Sequence, residues 1–257
     1  MTTIPDLFDL RGHVSLITGG NGGIGLGMAR GLAKAGASIA VWGRNKAKNA
    51  AAVDELRALG AKAEAFAVDV AGEEQVADAM ASTLERFGRV DSCFANAGVG
   101  KAAPFPETTI AEWNAVMDTN LLGAFLTLRE ASRHMVARGG GGKLVGIASI
   151  GSMHGMARQA SYSASKAGLC AMMRSLAVEL ARHDIQANAI LPGWIETDMT
   201  EGARSWNKLR DTVTHRTPAR RWGTPADFEG IAVYLASRAS AFHTGDTVRL
   251  DGGYAIF

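Results

Sequence analysis

The chain has 257 residues, enough for one large α/β domain or two small ones, and 47% of them are hydrophobic, enough for a substantial core. Its net charge of +2 leaves no basic footprint for nucleic acid, and its two cysteines, Cys93 and Cys170, lie in apolar contexts without metal spacing, so reduced buried thiols and no metal are expected. Residues 1–13 hold no basic or apolar leader segment and no apolar run reaches about 18 residues, so the expectation is a soluble, cytoplasmic protein with no signal peptide and no membrane contact.

The predicted elements alternate. Residues 13–18 form a short apolar strand that runs into a glycine cluster at 19–25. Apolar residues then recur at helical spacing through Met28, Leu32 and Ala35, and Gly36 ends that helix. Residues 38–42 are a second strand and 45–59 an Ala-rich helix stopped by Gly60. A third strand covers 63–68, a third helix 73–87, and a fourth strand 90–94. A long helix spans about 110–137, with a break near Asn120. A fifth strand, 143–148, precedes a helix from 161 to about 182, and a sixth strand covers 185–191. A last helix, 225–236, leads to a seventh strand at 246–250. Residues 198–217 are polar and of mixed charge, a mobile insertion placed to act as a substrate lid. Seven strands alternating with helices predict a doubly wound parallel sheet with helices on both faces, in one domain over 1–257.

In such a sheet, ligands bind beyond the carboxyl ends of the strands. Gly19, Gly23 and Gly25 lie between the first strand and its helix. They let the backbone approach a pyrophosphate, and the helix N-terminus adds free N–H groups and partial positive charge. No Lys-Ser/Thr follows, so this is not a P-loop. The spacing also differs from G-x-G-x-x-G, and such turns can serve packing alone. The second strand ends Val41-Trp42-Gly43-Arg44-Asn45, without the carboxylate that holds a ribose 2′-hydroxyl. Arg44 would instead pair with a 2′-phosphate, a charge-assisted bond of about 1.5–3 kcal/mol, or roughly 10–150-fold in affinity. NADP is therefore expected over NAD, with NAD usable if Arg44 only lies on adenine or in solvent.

Tyr162 and Lys166 stand four residues apart, which stacks them on one helix face. A phenol titrates near pH 10, and a nearby cation favours its ionised form. Bringing it to about 7 takes roughly 4 kcal/mol of differential stabilisation. By itself the pair also fits an exposed helix surface.

Taken together, these motifs resemble the single-domain short-chain dehydrogenase/reductases, over nearly the whole chain and closest to their gluconate and sugar dehydrogenases. Thr18-Gly19-Gly20-Asn21-Gly22-Gly23-Ile24-Gly25 is similar to that family's T-G-x-x-x-G-I-G turn. Asp69, followed by Val70, resembles its adenine-contacting Asp. Asn96-Ala97-Gly98 matches its N-A-G element, although Ala95 stands where Asn is usual. Ser149, Tyr162 and Lys166 match the catalytic set, and Asn120 the Asn of the long helix. Pro192-Gly193-Trp194-Ile195-Glu196-Thr197 resembles the loop that receives the nicotinamide. Leu250-Asp251-Gly252-Gly253 is similar to the C-terminal element.

The resemblance implies a Rossmann fold and hydride transfer between a secondary alcohol and a ketone. It implies that Tyr162 moves the alcohol proton and Ser149 binds the substrate oxygen. Lys166 would bind the ribose and depress the Tyr162 pKa, and Asn120 would hold a water linking Lys166 to solvent. It also implies a homodimer or homotetramer. His154 and Gln159 lie where this architecture puts substrate, and Trp194 is expected to wall the pocket. A sugar, sugar acid or small polyol is the first substrate class. A 3-oxoacyl thioester or a hydrophobic cyclic ketone is the alternative, and a non-catalytic cofactor sensor or scaffold is the alternative of another class.

Overall fold

The computed structural model describes residues 3–257. Its centre is a seven-stranded parallel sheet of order β3-β2-β1-β4-β5-β6-β7. The strands are β1 Val14–Thr18, β2 Ser38–Gly43, β3 Ala63–Ala67, β4 Ser92–Ala95, β5 Gly142–Ile147, β6 Ile185–Pro192 and β7 Thr247–Leu250. The helices are α1 Ile4–Phe8, α2 Gly23–Lys34, α3 Lys46–Ala58, α4 Glu73–Phe87, α5 Ile110–Met117, α6 Gly123–Arg138, α7 Ala160–Leu180, α8 Glu201–Ser205, α9 Asn207–Arg216 and α10 Glu229–Ala236.

The period-2 alternation of each strand divides the core. Leu16, Trp42, Cys93 and Leu144 face α4, α6 and α7, where they meet Met80, Leu128, Leu169 and Met173. Their neighbours Ile17, Val41, Phe94 and Val145 face α2, α3 and α10, where they meet Met28, Leu56 and Leu235. Helices therefore cover both faces, as a parallel sheet requires. Strand order reverses between β1 and β4, so a crevice opens above their carboxyl ends.

Three features differ from, or refine, the sequence reading. The break near Asn120 is one π-helical turn, Asp118–Leu122, between α5 and α6. The short α1 goes unpredicted, although Thr3 and Asp6 form a reciprocal capping box at its start. The polar stretch 198–217 folds as α8 and α9, anchored by the buried Val213 and by Trp222 Nε1 donating to the Arg210 carbonyl at 3.3 Å. One apolar residue per turn sufficed to seat α9, too weak a period to read from sequence.

Candidate active site

The crevice at the switch point is a cavity of about 520 Å³. The glycine turn forms one wall. Gly19 has φ +63°, and a Cβ there would meet Asn96 Nδ2 at 2.9 Å and the Ala97 Cα at 3.2 Å. Only glycine lets the first turn lie this close to the end of β4. The contact is fastened by hydrogen bonds: Thr18 Oγ1 accepts from the backbone N–H of Asn96 and Ala97, each at 2.9 Å. Asn96 Nδ2 donates to the Thr18 carbonyl at 2.8 Å. Asn21 Nδ2 donates to Asn49 Oδ1 at 2.6 Å, and Asn49 Nδ2 donates to the Gly43 carbonyl at 2.8 Å. The turn is thus braced on β2 and β4 before any ligand arrives. Gly22 leaves open space where a side chain would stand, directly ahead of the free N–H groups of α2.

Along the floor lie Arg44, Asp69 and Val70 from the ends of β2 and β3, and Asn96, Ala97 and Gly98 from β4. Arg44 Nη1 stands 3.8 Å from Asp69 Oδ2, both partly exposed. Ser149, Tyr162 and Lys166 occupy the opposite end, with Pro192, Gly193, Ile195 and Thr197 from β6 and its loop above them. A Cβ on Gly23 would touch Thr197 Cγ2 at 3.1 Å, so the glycine turn and the β6 loop close on each other.

Ser149 follows β5, and its Oγ accepts from the Gly151 N–H at 3.1 Å, which fixes the rotamer. Lys166 is buried; its Nζ donates to the Ile147 carbonyl at 2.7 Å and lies 5.8 Å from the centre of the Tyr162 ring. Burial lowers Lys166 to about 8. Tyr162 shifts the other way from the sequence expectation. Burial raises its pKa, and the neighbouring Ser149 hydroxyl only partly opposes this.

Asn120 is fully buried in the π turn. Its Oδ1 accepts from Val99 N–H at 2.8 Å, and its Nδ2 donates to the Val99 carbonyl at 2.9 Å and Ser165 Oγ at 3.1 Å. The side chain is committed to these partners and makes no direct bond to Lys166. It sets the approach of the 98–99 backbone to the cleft: a Cβ on Gly98 would meet Asn120 Oδ1 and Lys166 Nζ at 3.3 Å each.

A family model described as enoyl-(acyl carrier protein) reductase matches residues 19–255. The gluconate 5-dehydrogenase of Gluconobacter oxydans (strain 621H) is 36% identical over 252 residues, covering 98% of each chain. The chain belongs to the short-chain dehydrogenase/reductase family. A second relative, the 2-dehydro-3-deoxy-D-gluconate 5-dehydrogenase of Escherichia coli (strain K12), is 36% identical over 96% of this chain and 97% of its own. Among solved structures, a gluconate 5-dehydrogenase from Burkholderia cenocepacia J2315 in complex with NADP and tartrate superposes with a TM-score of 0.95, at 37% identity over 99% and 100% of the two chains.

In this short-chain dehydrogenase four sequence candidates lie off the cleft lining: Asn120, buried behind it, and Trp194, His154 and Gln159. Trp194 turns away and packs edge-on against Trp222 and Tyr254, with ring centres 5.3 and 6.4 Å away. It borders a separate cavity of about 250 Å³ with Thr217 and Asp227, so it does not wall the main pocket. The aromatic cluster holds it there. His154 and Gln159 lie in the loop ahead of α7, and their Nε2 and Oε1 are buried without a hydrogen-bond partner among the described residues. The sequence reading missed Lys48 and Thr119 on the cleft wall and Asn49 beneath it, and it covered Asp198 and Met199, also on the wall, only as part of the 198–217 segment. Lys48 sits one turn into α3 after the Asn45 N-cap, and that helical position was its only signal.

Proposed function

We propose that this chain is an NADP-preferring dehydrogenase that interconverts a secondary alcohol and a ketone on a sugar acid or small polyol. The observation that carries this reading is that Ser149, Tyr162 and Lys166 share one cleft with the braced glycine turn. The residues fit a dinucleotide. Gly22 and the first turn of α2 offer an open, donor-rich cradle for a pyrophosphate, Asp69 and Val70 border the adenine end, and Arg44 offers the charge for a 2′-phosphate. Gly98, Ile195 and Thr197 flank the end next to Tyr162. Bound there, the nicotinamide supplies or takes up the hydride.

The chain's own residues handle the proton. Tyr162 stays a neutral phenol under its burial, so in the reductive direction its hydroxyl is an acid ready to protonate the carbonyl oxygen. Ser149 Oγ gives that oxygen a second hydrogen bond. Lys166 holds ribose hydroxyls and, in its charged form, stabilises the phenolate left after proton transfer. Asn120 positions the 98–99 backbone beside Lys166; a water linking Lys166 to solvent would have to be held by groups other than the Asn120 side chain, which is taken. His154 and Gln159 would reach substrate hydroxyls or a carboxylate only by a shift of the loop ahead of α7, since their unpaired Nε2 and Oε1 are buried off the cleft lining. Residues 198–217 act as the lid, within a single domain. Exposed Phe125 on α6 and Val178 on α7 support self-association as a dimer or tetramer. The free, buried Cys93 and Cys170 suit the cytoplasm, and burial pushes the Cys93 thiol up to about 12, which leaves it inert.

The names of the relatives support gluconate-type substrates. An activity screen across gluconate and ketogluconates, 3-oxoacyl thioesters and cyclic ketones is expected to place turnover in the first group; turnover confined to thioesters would overturn the substrate class. Tyr162→Phe is expected to abolish turnover and leave NADPH binding, read by fluorescence titration, intact.

A further inference from the structure

One ion pair crosses the mouth of the cleft. Lys48 lies in the first turn of α3, where its N–H donates to Oδ1 of the N-cap Asn45 at 3.0 Å. Its Nζ meets Asp198 Oδ2 at 2.6 Å, a carboxylate 150 residues away at the start of the lid. Both residues line the same cavity as Arg44. Arg44 itself faces Asp69. Each of these two cations at the adenosine end therefore rests on a carboxylate of the chain. The Lys48–Asp198 pair is exposed, at 54% and 88% for the two side chains, so water and salt screen it and hold it weakly. A phosphate offers more charge and more acceptor oxygens than a carboxylate.

We propose that Lys48 is a second residue that discriminates for a 2′-phosphate, and that Asp198 competes for its ammonium until a 2′-phosphorylated adenosine displaces it. The inference rests on the dinucleotide reading above and adds to the part given to Arg44. It also links recognition to the lid, because the carboxylate that is displaced belongs to the segment leading into α8 and α9.

Titration calorimetry of the whole protein with adenosine 2′,5′-bisphosphate and with adenosine 5′-monophosphate tests it. Lys48→Met is expected to weaken the bisphosphate by about tenfold and leave the monophosphate unchanged, while Lys48→Arg retains most of the affinity. Asp198→Asn is expected to tighten the bisphosphate about two- to threefold, an effect that shrinks at high salt. Opposite signs for the two charge deletions are the signature of competition. Equal loss for both nucleotides in Lys48→Met, or weakening in Asp198→Asn, would overturn the proposal. NADPH and NADH serve as controls. If wild type binds NADPH and the Lys48→Met and Asp198→Asn variants match it, Lys48 has no such role and the dinucleotide reading stands. If wild type binds neither cofactor, the dinucleotide reading fails and this inference with it.

Discussion

Lys166 shows how one buried residue ties chemistry to stability. Burial sets its folded pKa at about 8, while an unfolded lysine titrates near 10.4. Folding therefore expels a proton between those values, and the penalty for burying the ammonium applies fully below pH 8. Unfolding free energy of the ligand-free protein is expected to rise with pH from 8 to 10, by up to about 3 kcal/mol from this residue. Lys143, lowered to about 8 by burial, contributes in the same direction. Lys166→Met should flatten its share of that slope in denaturant titrations at pH 8, 9 and 10; an unchanged slope would show that the buried ammonium is not the source. The sequence exposed the Tyr162–Lys166 pair through its spacing. It gave no access to burial, and burial decides which way Tyr162 shifts.

Two junctions between elements carry buried polar networks, one beside the cleft and one at the amino end of the sheet. At the π turn, Asn120 closes three hydrogen bonds in a buried place. Asn120→Ala leaves Val99 N–H and C=O unpaired, and each such group costs about 1–3 kcal/mol. The variant is expected to lose about 2 kcal/mol or more of stability, read by denaturant melts, and to lower kcat by loosening the backbone beside Lys166. The second junction is Asp91, just ahead of β4, whose Oδ2 accepts from Val14 N–H at 2.9 Å and whose Oδ1 meets Arg138 Nη1 at 2.5 Å. Burial pushes this carboxyl up, but Arg89, Arg138 and the Val14 N–H outweigh it and hold it below its ordinary range. Its stabilisation is complete above about pH 4 and disappears as pH falls through the folded value. Asp91→Asn is expected to cost about 3 kcal/mol at pH 7 and to remove that part of the acid-unfolding slope. The sequence placed β4 and the Asn120 break from local pattern. It did not reveal Asp91, because apart from the neighbouring Arg89 its partners, Val14 N–H and Arg138, come from β1 and α6, remote in the chain.

At the scale of the whole molecule, the apolar exposed face of α6 and α7 is the surface to test. Val178 on α7 is 84% exposed, and Phe125 and Val136 on α6 are exposed as well. Val178→Asp is expected to shift sedimentation toward smaller species at micromolar concentration without lowering the melting temperature of the monomer. An unchanged distribution would place any subunit contact elsewhere. Among the described residues no helix is long and apolar enough to cross a membrane, and no grouping of His, Cys, Asp or Glu could hold a metal.

The order of elements, the parallel sheet, the glycine turn and the Ser149–Tyr162–Lys166 set were all written in the sequence. The elements, the glycine turn and the Tyr162–Lys166 pair are local, an apolar period, a glycine-rich turn or a fixed spacing on a helix, whereas Ser149 came from the resemblance to the family. Contacts between distant segments were decided only by tertiary structure. Trp194 sits two residues past Pro192 yet belongs to the Trp222–Tyr254 cluster, because the fold brings those two rings from remote parts of the chain into edge-on contact with it. Lys48 and Asp198 each read as an ordinary charge in a polar stretch. The fold sets them across one opening, and proximity alone makes them a pair.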